Sequence, residues 1–161
     1  MTPARSAALL LVFVLAAAGL AREPAAAVFA PGERFPGLST RDQHDRPYAW
    51  AGEARRLVVA FEMDTGKAAN AFLEKQGADF LARHATLFLS NIHGMPGIAR
   101  TFALPKMRKY PHRILLADGE HFLDRYPRQE NHLTVLDLDA QGVVTAVRFV
   151  PKADAAKAFA P

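Results

Sequence analysis

The 161-residue chain contains no cysteine. That one absence excludes structural disulfides, thiolate nucleophiles and cysteine metal ligands together. Long hydrophobic runs are also missing after Leu20, and a helical bilayer span needs about 20 apolar residues. Charge of one sign is nowhere concentrated except in "KMRK" at 106–109, which reads as a solvated helix end rather than a nucleic-acid patch. No strand–GxxxxGK phosphate loop is present, because "HGMPG" lacks that pattern. No serine sits in a nucleophile elbow: Ser90 ends an apolar run but lacks the flanking glycines. His44, His84, His112 and His121 are scattered, and no two have helical metal-ligand spacing.

What is present begins with Arg5 followed by an apolar run from Ala7 to Leu20 and small residues up to Ala21. This is the layout of a signal peptide over 1–21, with a second possible cut after Ala27, so the mature chain is expected to begin at Arg22 or Val28. A retained N-terminal anchor is the competing reading, and the shortness of the run counts against it. The chain is expected to be periplasmic or secreted, without a membrane span once the signal is cleaved. An oxidising compartment permits disulfides, and this protein uses none. The net charge of the full chain is +4; Arg5 is the only charged residue of the signal, so the mature protein stays mildly basic and nucleic acid is not an expected partner.

Residues 22–34 are rich in alanine and proline and form an extended lead-in; one domain is expected over 35–161. "FPGLSTRDQHDRPYAWAGEA" reads as a hairpin turning at "DQHDR". "RLVVAFEM" is a continuous apolar run suited to a strand buried on both faces. Asp64 or Thr65 can cap the following helix, whose apolar face is Ala68, Ala69, Phe72 and Leu73. Gly77 weakens that helix, and "ATLFLSN" is the second buried strand. Pro96 suits the first turn of a third helical segment, in which Ile98 and Phe102 share a face. Pro105 is expected to break or restart it, and Pro111 to forbid its continuation. "HRILLADGEHFLDRYP" is a third extended segment turning at Asp118 and Gly119. "HLTVLDLDAQGVVTAVRFV" is a closing hairpin with Gly142 in its turn, and "KADAAKAF" a short terminal helix. Strands alternating with helices predict an α/β fold with a parallel core and an antiparallel edge. Val58, Val59, Ala60, Phe61, Leu87, Phe88, Leu89, Val135 and Leu136 should line the core of a four- or five-stranded sheet.

The opening "FPGLSTRDQHDRPYAWAGEARRLVVAF" and the second half "KYPHRILLADGEHFLDRYPRQENHLTVLDLDAQGVV" resemble the thioredoxin-like superfamily in its peroxiredoxin and TlpA-like arm, and the chain looks most like the small exported YtfJ-type proteins. The resemblance runs from Phe35 to Val150. It implies a three-layer sandwich, a mixed central sheet with helices on both faces. Carried over by position, the two cysteines of the family fall near Gly66 and Ala69, and its cis-proline falls at Leu133. Nucleophile and docking backbone are therefore both missing, and neither thiol-disulfide exchange nor thiol peroxidase chemistry is possible.

Ligand sites in open α/β sheets form beyond the carboxyl ends of the strands. That rim offers Glu62, Asp64, Thr65, Lys67, Asn91 and His132 as a ligand-binding set. Each has a plainer reading: Asp64 as a helix cap, Lys67 and Glu62 as solvated side chains, Asn91 as a turn former, His132 as a surface histidine. His93 and Met95 are candidate copper ligands, since thioethers suit Cu(I) and imidazole suits both oxidation states. Met63 and His132 could complete the set; the alternative is that Met95 packs under the following helix. The expected function is an exported, redox-inactive domain acting by binding an envelope protein or a small ligand, with no cofactor. The alternative is a periplasmic copper-binding protein using His93 and Met95, with His132 as an optional third ligand.

Overall fold

The computed structural model describes residues 27–160. The expected signal segment lies outside them. Within them, no helix is long and apolar enough to cross a membrane.

Seven strands form one mixed sheet in the order β2-β1-β5-β4-β3-β6-β7. They are β1 (Ser39–Asp42), β2 (Pro47–Ala49), β3 (Arg56–Ala60), β4 (Thr86–Asn91), β5 (Leu115–Ala117), β6 (His132–Leu138) and β7 (Val144–Pro151). The strand count exceeds the expected four or five because the opening hairpin joins the main sheet through β1–β5 pairing. "RLVVAFEM" and "TVLDLD" are neighbours as expected: Val58 pairs with Val135 and Leu57 with Leu136, antiparallel. β3, β4 and β5 are parallel.

The helices are α1 (Met63–Leu73), α2 (Phe80–Arg83), α3 (Gly97–Met107) and α4 (Ala156–Phe159), the last preceded by a 3-10 turn at Lys152–Asp154. The steps from β3 through α1 to β4, and from β4 through α3 to β5, move in one direction across the sheet. Right-handed crossovers therefore place α1 and α3 on the same face. That face buries Val58, Phe88, Ile114, Leu133 and Val135 against Leu73, Leu81, Met107 and Phe159, so all four helices contribute to it. The other face buries Leu57, Val59, Leu89, Leu136 and Val144 and no described helix packs on it, which corrects the expectation of helices on both faces. Its cover comes from the lead-in and from the turns at 119–126: Phe29, Phe35 and Tyr126 pack there edge to face. Backbone bonds hold the lead-in to distant segments, from the Phe29 N–H to the Arg125 carbonyl (2.7 Å), the Gly32 N–H to the Val144 carbonyl (2.8 Å) and the Phe35 N–H to the Gly142 carbonyl (2.8 Å).

Most of the expected core is buried, but Phe61 and Leu87 remain half-buried. Phe61 stands just past the end of β3, where its ring supports the Arg128 guanidinium 5.6 Å from its centroid. Two local expectations are corrected. The residue preceding α1 is Glu62, extended at φ −120°, rather than Asp64 or Thr65. Pro105 neither ends nor restarts α3, which runs through it to Met107. The bond its ring forfeits is one from residue 105 to the Thr101 carbonyl, and both residues are exposed, so water can replace it. Ile98 and Phe102 share a face that points to solvent, at 76% and 73% exposure.

Candidate functional site

The carboxyl ends of β3 and β4 and the start of β6 meet at one edge, as the rim reading requires. Glu62 leaves β3 and folds its carboxylate toward the segment that precedes β6. One oxygen accepts from Arg128 Nη2 at 3.0 Å and the other from the Asn131 backbone N–H at 3.1 Å. Asn131 adopts φ 59°, a conformation asparagine tolerates better than most residues. Its carbonyl accepts from the Lys152 N–H at 3.0 Å and its side-chain oxygen from Lys152 Nζ at 3.0 Å. Lys152 also stands 3.7 Å from Asp64, which Lys67 approaches at 3.4 Å. Glu62, Asp64 and Lys67 thus belong to one polar strip that ties α1 to both strands of the closing hairpin.

Thr65 is fully buried. Its hydroxyl accepts from the Glu62 N–H at 3.3 Å and donates to the Glu62 carbonyl at 2.9 Å, closing the first turn of α1. Asn91 behaves as a turn former, accepting from the His93 N–H at 3.0 Å and reaching the Phe61 carbonyl at 3.4 Å. His132 is engaged locally, by the Glu130 carbonyl at 2.7 Å and by Gln129 at 3.2 Å. His93 is exposed. Among the described residues no three His, Asp or Glu side chains gather where one ion could be held.

The positions matched to the family's reactive groups are occupied by packing. Gly66 and Ala69 are buried in α1, and Leu133 is buried in the helical-face core. The peptide before Leu133 is trans.

Sequence reasoning missed one feature of this edge, a cleft of about 360 Å³ between α1 and α3. Of the rim candidates only Lys67, Asn91 and Met95 line it; Glu62, Asp64, Thr65, His93 and His132 do not. Its floor is Gly66, Ser90 and Ile92, and its walls include Met63, Met95, Phe102 and Met107. All three methionines of the described chain therefore meet in one groove. The signal was available in the unusual pairing of Met63 with a small residue, Gly66, one turn later. It was not read because an exposed phenylalanine on α3 is needed to form the opposite wall.

Behind the cleft, Asn70 bonds the buried His112 through Nε2 at 2.9 Å. His112 is 1% exposed, and burial pulls its pKa down to about 4. Its Nδ1 has no partner. An unpaired buried acceptor is less rare than an unpaired buried donor, so the proton belongs on Nε2 and the Asn70 oxygen accepts it. The Asn70 amide nitrogen is then left to face the cleft that Asn70 lines.

No family model matches the chain, and no curated protein matches it. Solved structures do. A peroxidoxin from Mycobacterium tuberculosis superposes with TM-score 0.53 at 14% identity, covering 81% of this chain and 94% of its own. The thioredoxin domain of a thiol-disulfide oxidoreductase from Bacteroides vulgatus gives 0.53 at 12% identity, over 80% and 95%. A peroxiredoxin-like protein from Aquifex aeolicus gives 0.51 at 12%, over 79% and 80%. At such identities the likeness speaks for architecture alone: this cysteine-free chain has a thioredoxin-like fold.

Proposed function

We propose that this protein is an exported thioredoxin-like domain that has given up redox chemistry and acts by binding, with the α1–α3 cleft as its site. The observation that carries the reading is the cleft itself. It opens beside Gly66, where the resemblance puts a reactive thiol, and thioethers and a phenyl ring make up much of its walls. A concave, mostly apolar pocket with a few polar groups is the usual form of a ligand site. Methionine side chains adapt to different apolar partners. Met63, at 56% exposure, and Phe102 keep adjoining apolar surface in water at the mouth of the same cleft, where an occupant can cover it.

The test uses a neutral environment-sensitive dye small enough for the cleft, 1-naphthylamine. Its fluorescence should rise on the wild-type protein and not on Ala103→Trp, which fills the cleft. No insulin reduction and no peroxidase turnover should appear above a buffer blank. Dye binding that ignores Ala103→Trp, or turnover at a catalytic rate, would defeat the reading. Export is tested by N-terminal sequencing of the envelope fraction: a start at Arg22 or Val28 supports it, and a start at Met1 does not.

A second reading has one observation in its favour. Met95, the copper candidate, shares the cleft with Met63 and Met107, and three thioethers are a soft donor set suited to Cu(I). A Cu(I) competition titration in which the Met95→Leu variant binds like the wild type would dismiss it.

A further inference from the structure

The cleft has a direction. Both α1 and α3 follow strands that end at the rim, so each helix runs away from it. Met63, Met95 and Ala99 therefore lie at the rim end, and Asn70, Lys106 and Tyr110 at the far end. The rim end is apolar. The far end carries the Asn70 amide, turned outward because its oxygen is held by His112, together with the Lys106 ammonium and the Tyr110 hydroxyl.

Charge is one-sided as well. Lys67 and Lys106 line the cleft, and no Asp or Glu does. Lys67 is partly neutralised by Asp64 at 3.4 Å. Lys106 is exposed and makes no ion pair among the described residues. The far end thus sets the Asn70, Lys106 and Tyr110 donors beside an apolar trough, with Glu74 near Tyr110 as the one carboxylate whose charge reaches it and Lys106 as the lining cation, and a carboxylate is an acceptor-only group with negative charge.

Size sets the rest. At about 30 Å³ for each water-sized group, 360 Å³ holds roughly a dozen non-hydrogen atoms. Along α1, Met63 and Asn70 are separated by about 10 Å at 1.5 Å per residue. We infer that the cleft takes a medium-chain carboxylate, its head at Asn70 and Lys106 and its tail along Phe102 to Met63 and Met95. This rests on the cleft being the binding site, and it adds the chemical class of the occupant.

Decanoate, with about a dozen non-hydrogen atoms, is the probe. Calorimetry should show one decanoate bound per chain, at least tenfold tighter than decanol, which keeps the tail and lacks the charge. Lys106→Met should erase most of that preference, and Lys106→Arg should retain it. Lys106 is exposed, so neither variant threatens the fold. Ala103→Trp, or Ala103→Leu if the larger ring unfolds the chain, should abolish binding. Equal binding of decanoate and decanol would overturn the inference, as would a preference that survives Lys106→Met. The neutral dye separates the two levels. If the dye binds wild type and not the filled variant while decanoate fails to displace it, the cleft stands as a site and the carboxylate class falls. If the dye also fails to bind, both fall together.

Discussion

Gly66 faces Ser90 across the floor of the cleft: a Cβ built on Gly66 would stand 3.7 Å from the Ser90 hydroxyl oxygen and 3.9 Å from Ala60 Cβ. Those are ordinary contact distances, so the absence of a side chain here is not forced by crowding. Gly66 also lies within α1, where glycine costs about 0.5–1 kcal/mol relative to alanine. Gly66→Ala should fold and raise the melting temperature slightly. A clear loss of stability would mean that the backbone at 66 is under a constraint the contacts do not reveal.

Adding thiols at Gly66 and Ala69 together should not restore a working enzyme. A trans peptide stands before Leu133, so the partner-docking backbone stays absent. Insulin reduction by the double cysteine variant is expected to be weak at most, measured against a thioredoxin of known activity. Efficient turnover would show that this scaffold needs only its nucleophile.

Acid should loosen the fold through His112. Burial lowers its folded pKa from 6.5 to about 4, so the unfolded chain binds the extra proton first. The contribution is complete above pH about 6.5 and is lost as pH falls through about 4, a difference of roughly 3 kcal/mol. Urea midpoints measured between pH 7 and pH 4 should fall steadily in the wild type and more gently in His112→Phe. Parallel slopes in the two proteins would count against the assignment.

Gly142 is the opposite case from Gly66. Its φ is +77°, and an added Cβ would come within 2.7 Å of Trp50 Cη2. Left-handed strain of about 1–2 kcal/mol and overpacking of about 1–3 kcal/mol act together in Gly142→Ala. The variant should lose several degrees of thermal stability; an unchanged melting curve would show that Trp50 moves aside freely.

Leu89→Ala removes a fully buried side chain from the strand beside β3, and about 2–5 kcal/mol of stability should go with it. Chemical denaturation followed by circular dichroism is the check, and a cost below 1 kcal/mol would mean the second core can collapse around the gap.

The strands around Val58, Phe88 and Val135 were legible because a sheet covered on both faces leaves continuous apolar runs. The turn at Gly142 was legible because few residues accept its backbone. Pro105 misled because its rule concerns a helix interior, whereas its side of α3 faces water. The lead-in did not announce itself as core, since Phe29 is one aromatic in an alanine- and proline-rich stretch and its partner Tyr126 is far off in sequence. The polar strip could be listed residue by residue as Glu62, Asp64 and Lys67. That Arg128, Asn131 and Lys152 complete it depends on how the hairpin returns beside α1, which no local pattern encodes. The cleft was hidden for the same reason, its two walls being helices whose separation only packing decides.

The layer that covers the second face has a consequence for how the molecule comes into being. Its pieces from Phe29 to Phe35 are made well before Arg125, Gly142 and Val144, to which they are fastened. Arg34 donates to the Gln141 carbonyl across 107 residues of chain. During vectorial synthesis the lead-in must therefore wait with its phenylalanines unburied until the closing hairpin has emerged. Contacts so distant in sequence form slowly, because loop-closure entropy must be met before they reward it. A holding factor that shields those aromatics in the interval would act on the growing chain and have nothing to grip on the finished one.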